Sequence, residues 1–188
     1  GFFAAVSSLE KKRLAVLGDR ISTLSVNKLR TAAKEAKTSV FNVVLFLFTY
    51  SLGQIFDKEE ISVNYTVSNR FKEAARHTIG LTTHSVPHTV RGLKWRANSE
   101  VFAESRAEFE RNLGRHIMAD KFCNSPFTLS YLSETVKTPN PEGYEIITHP
   151  ISGTGNWNDI SLILMCAEQG DILELSMVSD RRIYSNAF

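Results

Sequence analysis

The hydrophobic segment 40–56 constrains the fold of this chain more than any other feature, because it is apolar nearly all round. Thr38 and Ser39 precede it, and hydroxyl residues in that place are typical helix N-caps. Polar residues interrupt the segment, which is also shorter than the roughly 20 apolar residues that a membrane-spanning helix needs. We therefore predict a buried core helix that the rest of the chain must cover on most sides.

Two further helices are predicted from capping residues and apolar spacing. The first begins near Val26, after Ser25 as its cap, and its apolar residues recur at helical intervals: Leu29, Ala32, Ala33 and Ala36. The second is long and amphipathic and is capped by Asn98 or Ser99. Its apolar side is formed by four residues: Phe102, Phe109, Leu113 and Ile117. Its opposite side is charged, which predicts a solvated surface.

Strands are predicted from alternation and from turn residues. Residues 61–67 alternate between apolar and polar side chains, which indicates a half-buried strand. Residues 81–91 form a strand only if Pro87 lies at a sheet edge or a bulge. The turn 168–171 contains glycine and should join two antiparallel strands. The other predicted strands are 11–21, 127–132, 144–149, 160–167 and 172–179. The whole is predicted to be α/β, a single domain over residues 1–188 with helices covering a mixed sheet.

Composition argues against several classes of function. The chain has 22 Lys and Arg residues and 20 Asp and Glu residues, spread along its length, so no nucleic-acid partner is expected. Cys123 and Cys166 have neither the paired spacing of a zinc site nor the density of a disulfide scaffold. The apolar segment 1–6 lacks the basic leader of a signal peptide. We therefore expect a cytoplasmic protein with no metal site and no membrane partner.

The most specific pattern in the sequence lies between residues 69 and 91. An asparagine-arginine pair at 69–70 is followed by the sequence I-G-L-T-T-H-S-V-P at 79–87. The similar family pattern is I-G-x-F-V-N-T-L-P, followed by an apolar residue and an arginine. Ile79, Gly80 and Pro87 match it. Thr89 stands in place of the arginine, and Arg91 follows two positions later.

Two flanking stretches extend this likeness over most of the chain. Upstream, a helix, a small polar turn and a very apolar helix precede a strand. Downstream, His116 falls near a histidine of the family pattern, and residues 126–131 and 158–162 are similar to its two following strands. Together these stretches resemble the C-terminal lobe of condensation domains of nonribosomal peptide synthetases, within the chloramphenicol-acetyltransferase-like superfamily.

The resemblance implies one lobe of a two-lobed enzyme whose active site lies in a tunnel between the lobes. The catalytic motif of the family, H-H-x-x-x-D-G, belongs to the N-terminal lobe. None of the five histidines here fits it: His77, His84, His88, His116 and His149. The chain is therefore expected to hold no catalytic residue and to be inactive alone.

In the intact parent the resemblance implies peptide-bond formation between carrier-bound aminoacyl or peptidyl thioesters. No cofactor would bind directly, because phosphopantetheine is carried by the partner carrier proteins. The expected partners are the N-terminal lobe, peptidyl or acyl carrier proteins and adjacent synthetase domains. The alternatives are an epimerisation, heterocyclisation or ester-forming domain, a free-standing acyltransferase, or a non-catalytic scaffold that docks carriers.

Seven residues are candidates for the tunnel or the lobe interface: Asn69, Arg70, Gly80, His84, Ser85, Arg91 and Asp159. For Arg70 a structural role is the more ordinary interpretation. His84 has the strongest claim of the histidines to face the cleft, although a half-exposed strand histidine without a chemical task is commoner. His88 shares its face if the strand is regular. An apolar surface is expected where the partner lobe would sit.

A group of basic residues is the last candidate feature: Lys28, Arg30, Lys34 and Lys37. They partly share one surface of the first predicted helix, which would suit the acidic surface of a carrier protein. The commoner explanation of such a group is a solvated helix face.

Overall fold

Six strands form one mixed sheet in the computed structural model, which describes residues 19–68, 83–114, 125–132 and 162–179. The strands are β1 (Asp19–Ser25), β2 (Ile61–Ser68), β3 (Thr83–Val90), β4 (Phe127–Leu132), β5 (Leu162–Gln169) and β6 (Ile172–Ser179). Their order in the sheet is β1-β6-β5-β4-β2-β3. β4 runs parallel to β2 and β5, and the other neighbours are antiparallel. The predicted mixed sheet is confirmed.

Three helices accompany the sheet: α1 (Val26–Glu35), α2 (Val40–Ile55) and α3 (Asn98–Gly114). α2 packs against β2 and β4, α3 packs against β3, and α1 packs against α2 and β1. The predicted α/β class with helices covering the sheet is therefore confirmed. No described helix is by itself long and apolar enough to span a membrane. α1 and α2 reach that length only together, and the chain bends by 95° between them.

α2 is the buried helix that the apolar segment predicts. The Ser39 side chain accepts a hydrogen bond from the Asn42 amide at 3.1 Å, which confirms the predicted cap. Nine of its residues are buried, and Leu47 and Ile55 are its exposed large apolar side chains. Phe41 lies beside three aromatic rings at centroid distances of 5.3–5.5 Å: Tyr65, Phe109 and Tyr131. These contacts join α2, α3 and the sheet in one core.

α1 follows β1 without a loop, because Ser25 ends the strand in an extended conformation and caps the helix. β1 overlaps the strand predicted at 11–21 and continues four residues beyond its predicted end, and residues 11–18 lie outside the described part. Val26, Leu29 and Ala33 form the buried side of α1. The predicted apolar side is wrong at Ala32, which is exposed because α1 is covered from one direction only.

α3 begins at Asn98, so its N-cap position falls on Ala97 and not on Asn98 or Ser99. The Ala97 carbonyl accepts hydrogen bonds from the amides of Glu100 and Val101, which are the first bonds of the helix. Phe102 and Phe109 pack on the core as predicted. The Leu113 side chain and Ile117 lie outside the described residues.

The last two strands form the predicted antiparallel hairpin. Gln169 pairs with Ile172 across a two-residue turn, and Gly170 opens that turn with φ of +62°. Glycine adopts this left-handed conformation without steric cost. β4 and β6 have the predicted bounds, whereas β5 extends two residues beyond its predicted end, to Gln169, and residues 160 and 161 lie outside the described part. The strand predicted at 144–149 lies outside the described residues.

Candidate functional site

β3 is the strand that carries most of the resemblance, and it lies at one edge of the described sheet. It pairs with β2 through eight consecutive residues, from Ile61 with Val90 to Ser68 with Thr83, without a shift in register. Pro87 lies opposite Asn64 in the middle of this ladder. An edge is where a strand tolerates a residue without an N–H group, so the condition set for this strand is met. The side-chain amide of Asn112 donates to the Pro87 carbonyl at 3.0 Å, which ties the edge to α3.

One face of β3 is buried beneath α3. Val86, His88 and Val90 alternate along this face and are each at most 4% exposed. The pairing with β2 is regular from His84 to His88. Residues four apart in a regular strand lie on the same face, as the sequence predicts for these two histidines. The His84 backbone pairs with Val67, and its side chain lies outside the described part.

His88 is the chemically unusual residue on that buried face. Its Nε2 lies 2.9 Å from the Ser105 hydroxyl of α3, while Nδ1 has no hydrogen-bond partner among the described residues. The ring meets Tyr65 edge-on at a centroid distance of 6.4 Å. Burial lowers the pKa of His88 to about 4, because a cation in this place would lose its hydration. His88 is therefore neutral at pH 7 and closed to an external substrate, so it does not serve as a general base for one.

The other face of the β2–β3 pair carries short polar side chains. Ser85, Pro87 and Thr89 of β3 are half-buried, and Ser62 of β2 lies beside Thr89 with their hydroxyl oxygens 2.8 Å apart. Thr66 lies opposite Ser85 and is exposed. These hydroxyls can donate and accept hydrogen bonds without carrying charge.

The same face continues onto β4 and β5. Ser130 is half-buried, and Thr128 is buried with a hydroxyl that has no hydrogen-bond partner among the described residues. Leu132 and Met165 are 60% and 42% exposed at the far side of this face. We call Ser62, Thr66, Ser85, Thr89 and Ser130 the hydroxyl face. It is a surface suited to hydrogen bonding with amides and carbonyls.

The predicted site residues fall in different places. Ser85 belongs to the hydroxyl face. Arg91 lies just beyond β3, where its guanidinium forms a two-point contact with Glu60 at 2.8 and 3.4 Å. Both side chains are more than half exposed, and their contact joins the end of β3 to the start of β2. Four predicted site residues lie outside the described part: Asn69, Arg70, Gly80 and Asp159.

Sequence reasoning missed two polar contacts. The first is the His88–Ser105 pair. The second is a link in which the Tyr131 hydroxyl donates to Glu168, whose other oxygen lies 3.4 Å from Arg30 of α1. Burial and the adjacent Glu168 carboxylate raise the pKa of Tyr131, which therefore stays protonated. Both contacts join residues distant in sequence, so no local sequence pattern predicts them.

The described residues offer little reactive chemistry. Cys166 is a buried thiol whose pKa is raised by burial to about 12, so it is not a nucleophile at neutral pH. Within the described ranges, no group of three His, Cys, Asp or Glu side chains is placed to hold a metal ion. What these residues can do is bind and position a neutral polar molecule along the hydroxyl face.

Comparison with known proteins shows the fold. No family model matches the sequence, and no curated protein matches it either. Among solved structures, the first condensation domain of the calcium-dependent antibiotic synthetase, in complex with a substrate analogue, is similar with a TM-score of 0.65 and 14% identity. The match covers 98% of this chain and 45% of that one.

Two other structures give the same result. The epimerization domain from the third module of tyrocidine synthetase B matches with a TM-score of 0.64 and 11% identity, over 96% of this chain and 48% of that one. A condensation domain that mediates chain release from the enacyloxin polyketide synthase matches with a TM-score of 0.60 and 14% identity, over 99% and 43%. This chain thus spans less than half the length of each. It has the fold of one lobe of a condensation or epimerization domain, and this is consistent with the C-terminal lobe that its motifs resemble.

Proposed function

We propose that this chain is the C-terminal lobe of a two-lobed condensation domain of a peptide synthetase. One observation carries the proposal: nearly the whole chain matches these domains, yet it spans less than half of each. A lobe of this kind works beside a second lobe in one molecule. Phosphopantetheine would arrive on carrier proteins, and the buried thiol of Cys166 suits a reducing cytoplasm.

The reaction we propose for the two-lobed parent is amide formation. The amine of an acceptor aminoacyl thioester attacks the carbonyl carbon of a donor acyl thioester. A C–N bond forms, the C–S bond breaks, and the donor thiol leaves with the proton that the amine gives up. A thioester is already activated, so holding the two reactants together is the main task of the protein.

The hydroxyl face supports a positioning role for this lobe. Ser62, Ser85 and Thr89 offer uncharged donors and acceptors side by side on one half-buried face, which suits hydrogen bonding with the amide groups of a substrate. His88 and Cys166 are closed to substrate, so the base is expected from the other lobe, where the resemblance places H-H-x-x-x-D-G. The chain alone should therefore be inactive.

A product assay tests this proposal. The chain is compared with a polypeptide that joins it to an upstream lobe carrying H-H-x-x-x-D-G, and both are given a donor and an acceptor loaded on carrier proteins. Mass spectrometry of the acceptor carrier should find the dipeptide only with the joined lobes. Product from the chain alone, or none from the joined lobes, would overturn the proposal. Chiral analysis of the tethered product separates condensation from the epimerisation alternative.

A further inference from the structure

Lys37 has a backbone conformation that lysine rarely adopts. Its φ is +51°, in the left-handed region. The amide of Lys37 donates to the Lys34 carbonyl at 3.1 Å, and the amide of Thr38 donates to the Ala33 carbonyl at 2.9 Å. This pair of bonds is the Schellman ending of a helix, in which the left-handed position is usually glycine. The helix end is less stable with lysine in this conformation than it would be with glycine, which suggests that the lysine side chain has a function of its own.

Lys37 adds a third cation next to the C-terminal end of α1. Arg30 and Lys34 are four residues apart, which places them on one side of the helix, and Lys37 lies two residues beyond Glu35, the last helical residue. All three are exposed, and the buried side of α1 is formed by other residues. We call Arg30, Lys34 and Lys37 the basic stripe.

The basic stripe is only partly neutralised within the described residues. Glu168 lies 3.4 Å from Arg30, but no described carboxylate forms an ion pair with Lys34 or Lys37. The only acidic residue of α1 is Glu35. A positive surface therefore remains at the C-terminal end of α1.

Both ends of α1 are fixed to other elements, so the stripe is held in place. At its N-terminus the Asp171 backbone carbonyl and carboxylate each accept a hydrogen bond, from the amides of Val26 and Asn27, both at 2.9 Å. At its C-terminus Arg106 of α3 donates to the Ala36 carbonyl at 2.9 Å. A surface held in this way loses little conformational entropy when it binds a partner.

We propose that the basic stripe docks an acidic protein surface, the helix-rich face of a negatively charged peptidyl carrier domain. This inference rests on the proposed function, which brings carrier domains to the lobe. Charge complementarity on a rigid helix favours rapid encounter and correct orientation.

Charge reversal with a matched control tests the proposal in the joined two-lobed protein. The double variant Lys34→Glu with Lys37→Glu should weaken the binding of a negatively charged, phosphopantetheine-bearing carrier domain roughly tenfold in 0.1 M salt. The control is Lys58→Glu, an equally exposed lysine beyond the other end of α2. That helix has 16 residues and so separates the two sites by about 24 Å. The control should bind the carrier as the wild type does.

A second variant separates docking from stability. Lys37→Gly relieves the left-handed backbone, so its Tm should be equal to or up to about 3 °C above that of the wild type. Its carrier binding should nevertheless fall severalfold, and the salt dependence of binding should become shallower. A lysine that serves only to complement the helix end would not give this combination.

The outcomes distinguish this inference from the proposed function, because binding and product formation are measured in the same samples. If amide product forms and the stripe variants bind the carrier as tightly as the wild type, the docking surface is wrong and the function stands. If the wild-type protein neither binds the carrier nor forms product, the function fails and takes the docking surface with it.

Discussion

The two faces of the sheet differ in composition although the same strands supply both. On the helix-covered face, Tyr65, Phe127 and Leu129 are all but fully buried. On the opposite face, the corresponding positions include Thr66, Thr128 and Ser130. Consecutive strand residues point in opposite directions, so the residues on one face can differ in chemical character from those on the other. Apolar packing on the helix-covered face stabilises the fold. The residues of the opposite face contribute less to that packing.

The largest effect is expected from truncating a core ring on the helix-covered face. Phe127→Ala should lower the free energy of unfolding by about 3–5 kcal/mol, because it removes a fully buried side chain stacked on Phe56. Ser130→Ala, on the opposite face of the same strand, should cost less than about 1 kcal/mol. Urea denaturation measures both. Equal costs for the two variants would show that the faces do not divide stability as described.

The next effect is a pH dependence that also belongs to the helix-covered face. The pKa of His88 is about 4 in the folded lobe and near 6.5 in an exposed histidine. Between those values the unfolded chain binds more protons than the folded one, so the free energy of unfolding decreases as the pH falls from about 6.5 to 4. The stability that depends on a neutral His88 is fully present above about pH 6.5. Its loss at low pH amounts to at most about 3 kcal/mol of the free energy of unfolding.

His88→Gln isolates this contribution, because glutamine does not titrate and keeps a donor toward Ser105. Tyr65 of β2, whose ring meets His88, has a pKa raised by burial to about 12, so it stays protonated over this pH range in both proteins. Urea midpoints at several pH values between 4 and 7 should fall more steeply in the wild type. Identical pH profiles would mean that His88 accepts a proton without disturbing the core.

A smaller effect is expected when the hydroxyl face is blocked. Ser85→Phe in the joined two-lobed protein should lower kcat/KM at least about tenfold, equivalent to about 1.4 kcal/mol, while the free energy of unfolding changes by less than about 1 kcal/mol. Ser51→Phe on the exposed side of α2 is the matched control, because it adds the same ring elsewhere. Unchanged turnover in Ser85→Phe would remove the hydroxyl face from the proposed tunnel wall.

The smallest effect concerns Arg91, at the end of β3. A double-mutant cycle with Arg91→Ala and Glu60→Ala should give a coupling energy of about 0.2–1 kcal/mol, because both side chains are well exposed. The coupling should shrink further at 1 M salt. A coupling well above this range, or a loss of turnover in Arg91→Ala, would assign Arg91 to the site instead of the strand end.

Most of the architecture could be predicted because each element has a local signal. Ser25 and Ser39 cap helices that begin directly after them, and the alternation in β2 is unambiguous. β1 was harder to predict, because its last residue is also the cap of α1 and strand and helix signals overlap there. α3 begins one or two residues earlier than predicted, because its cap position falls on Ala97, whose side chain cannot form a capping hydrogen bond.

The site was less predictable, because its chemistry depends on contacts between distant residues. In sequence, His88 has the appearance of a half-exposed strand histidine, and only the packing of α3 brings Ser105 to it and removes water. Arg91 lies two positions beyond the arginine position of the family pattern, and its partner Glu60, 31 residues earlier, contacts it at the surface. The hydroxyl face requires the register of β2 against β3, which no single segment specifies.

Pro87 bears on how this lobe behaves in concentrated solution. An open sheet edge is a template on which further strands, from other molecules, can add and start aggregation. At the middle of β3 the donor is missing because the residue is proline, and the acceptor is occupied by Asn112. A strand that paired with this edge would find neither an N–H donor nor a free carbonyl acceptor at Pro87. The two backbone hydrogen bonds at this residue would therefore not form. This edge of the described sheet is thereby protected from strand addition at its centre.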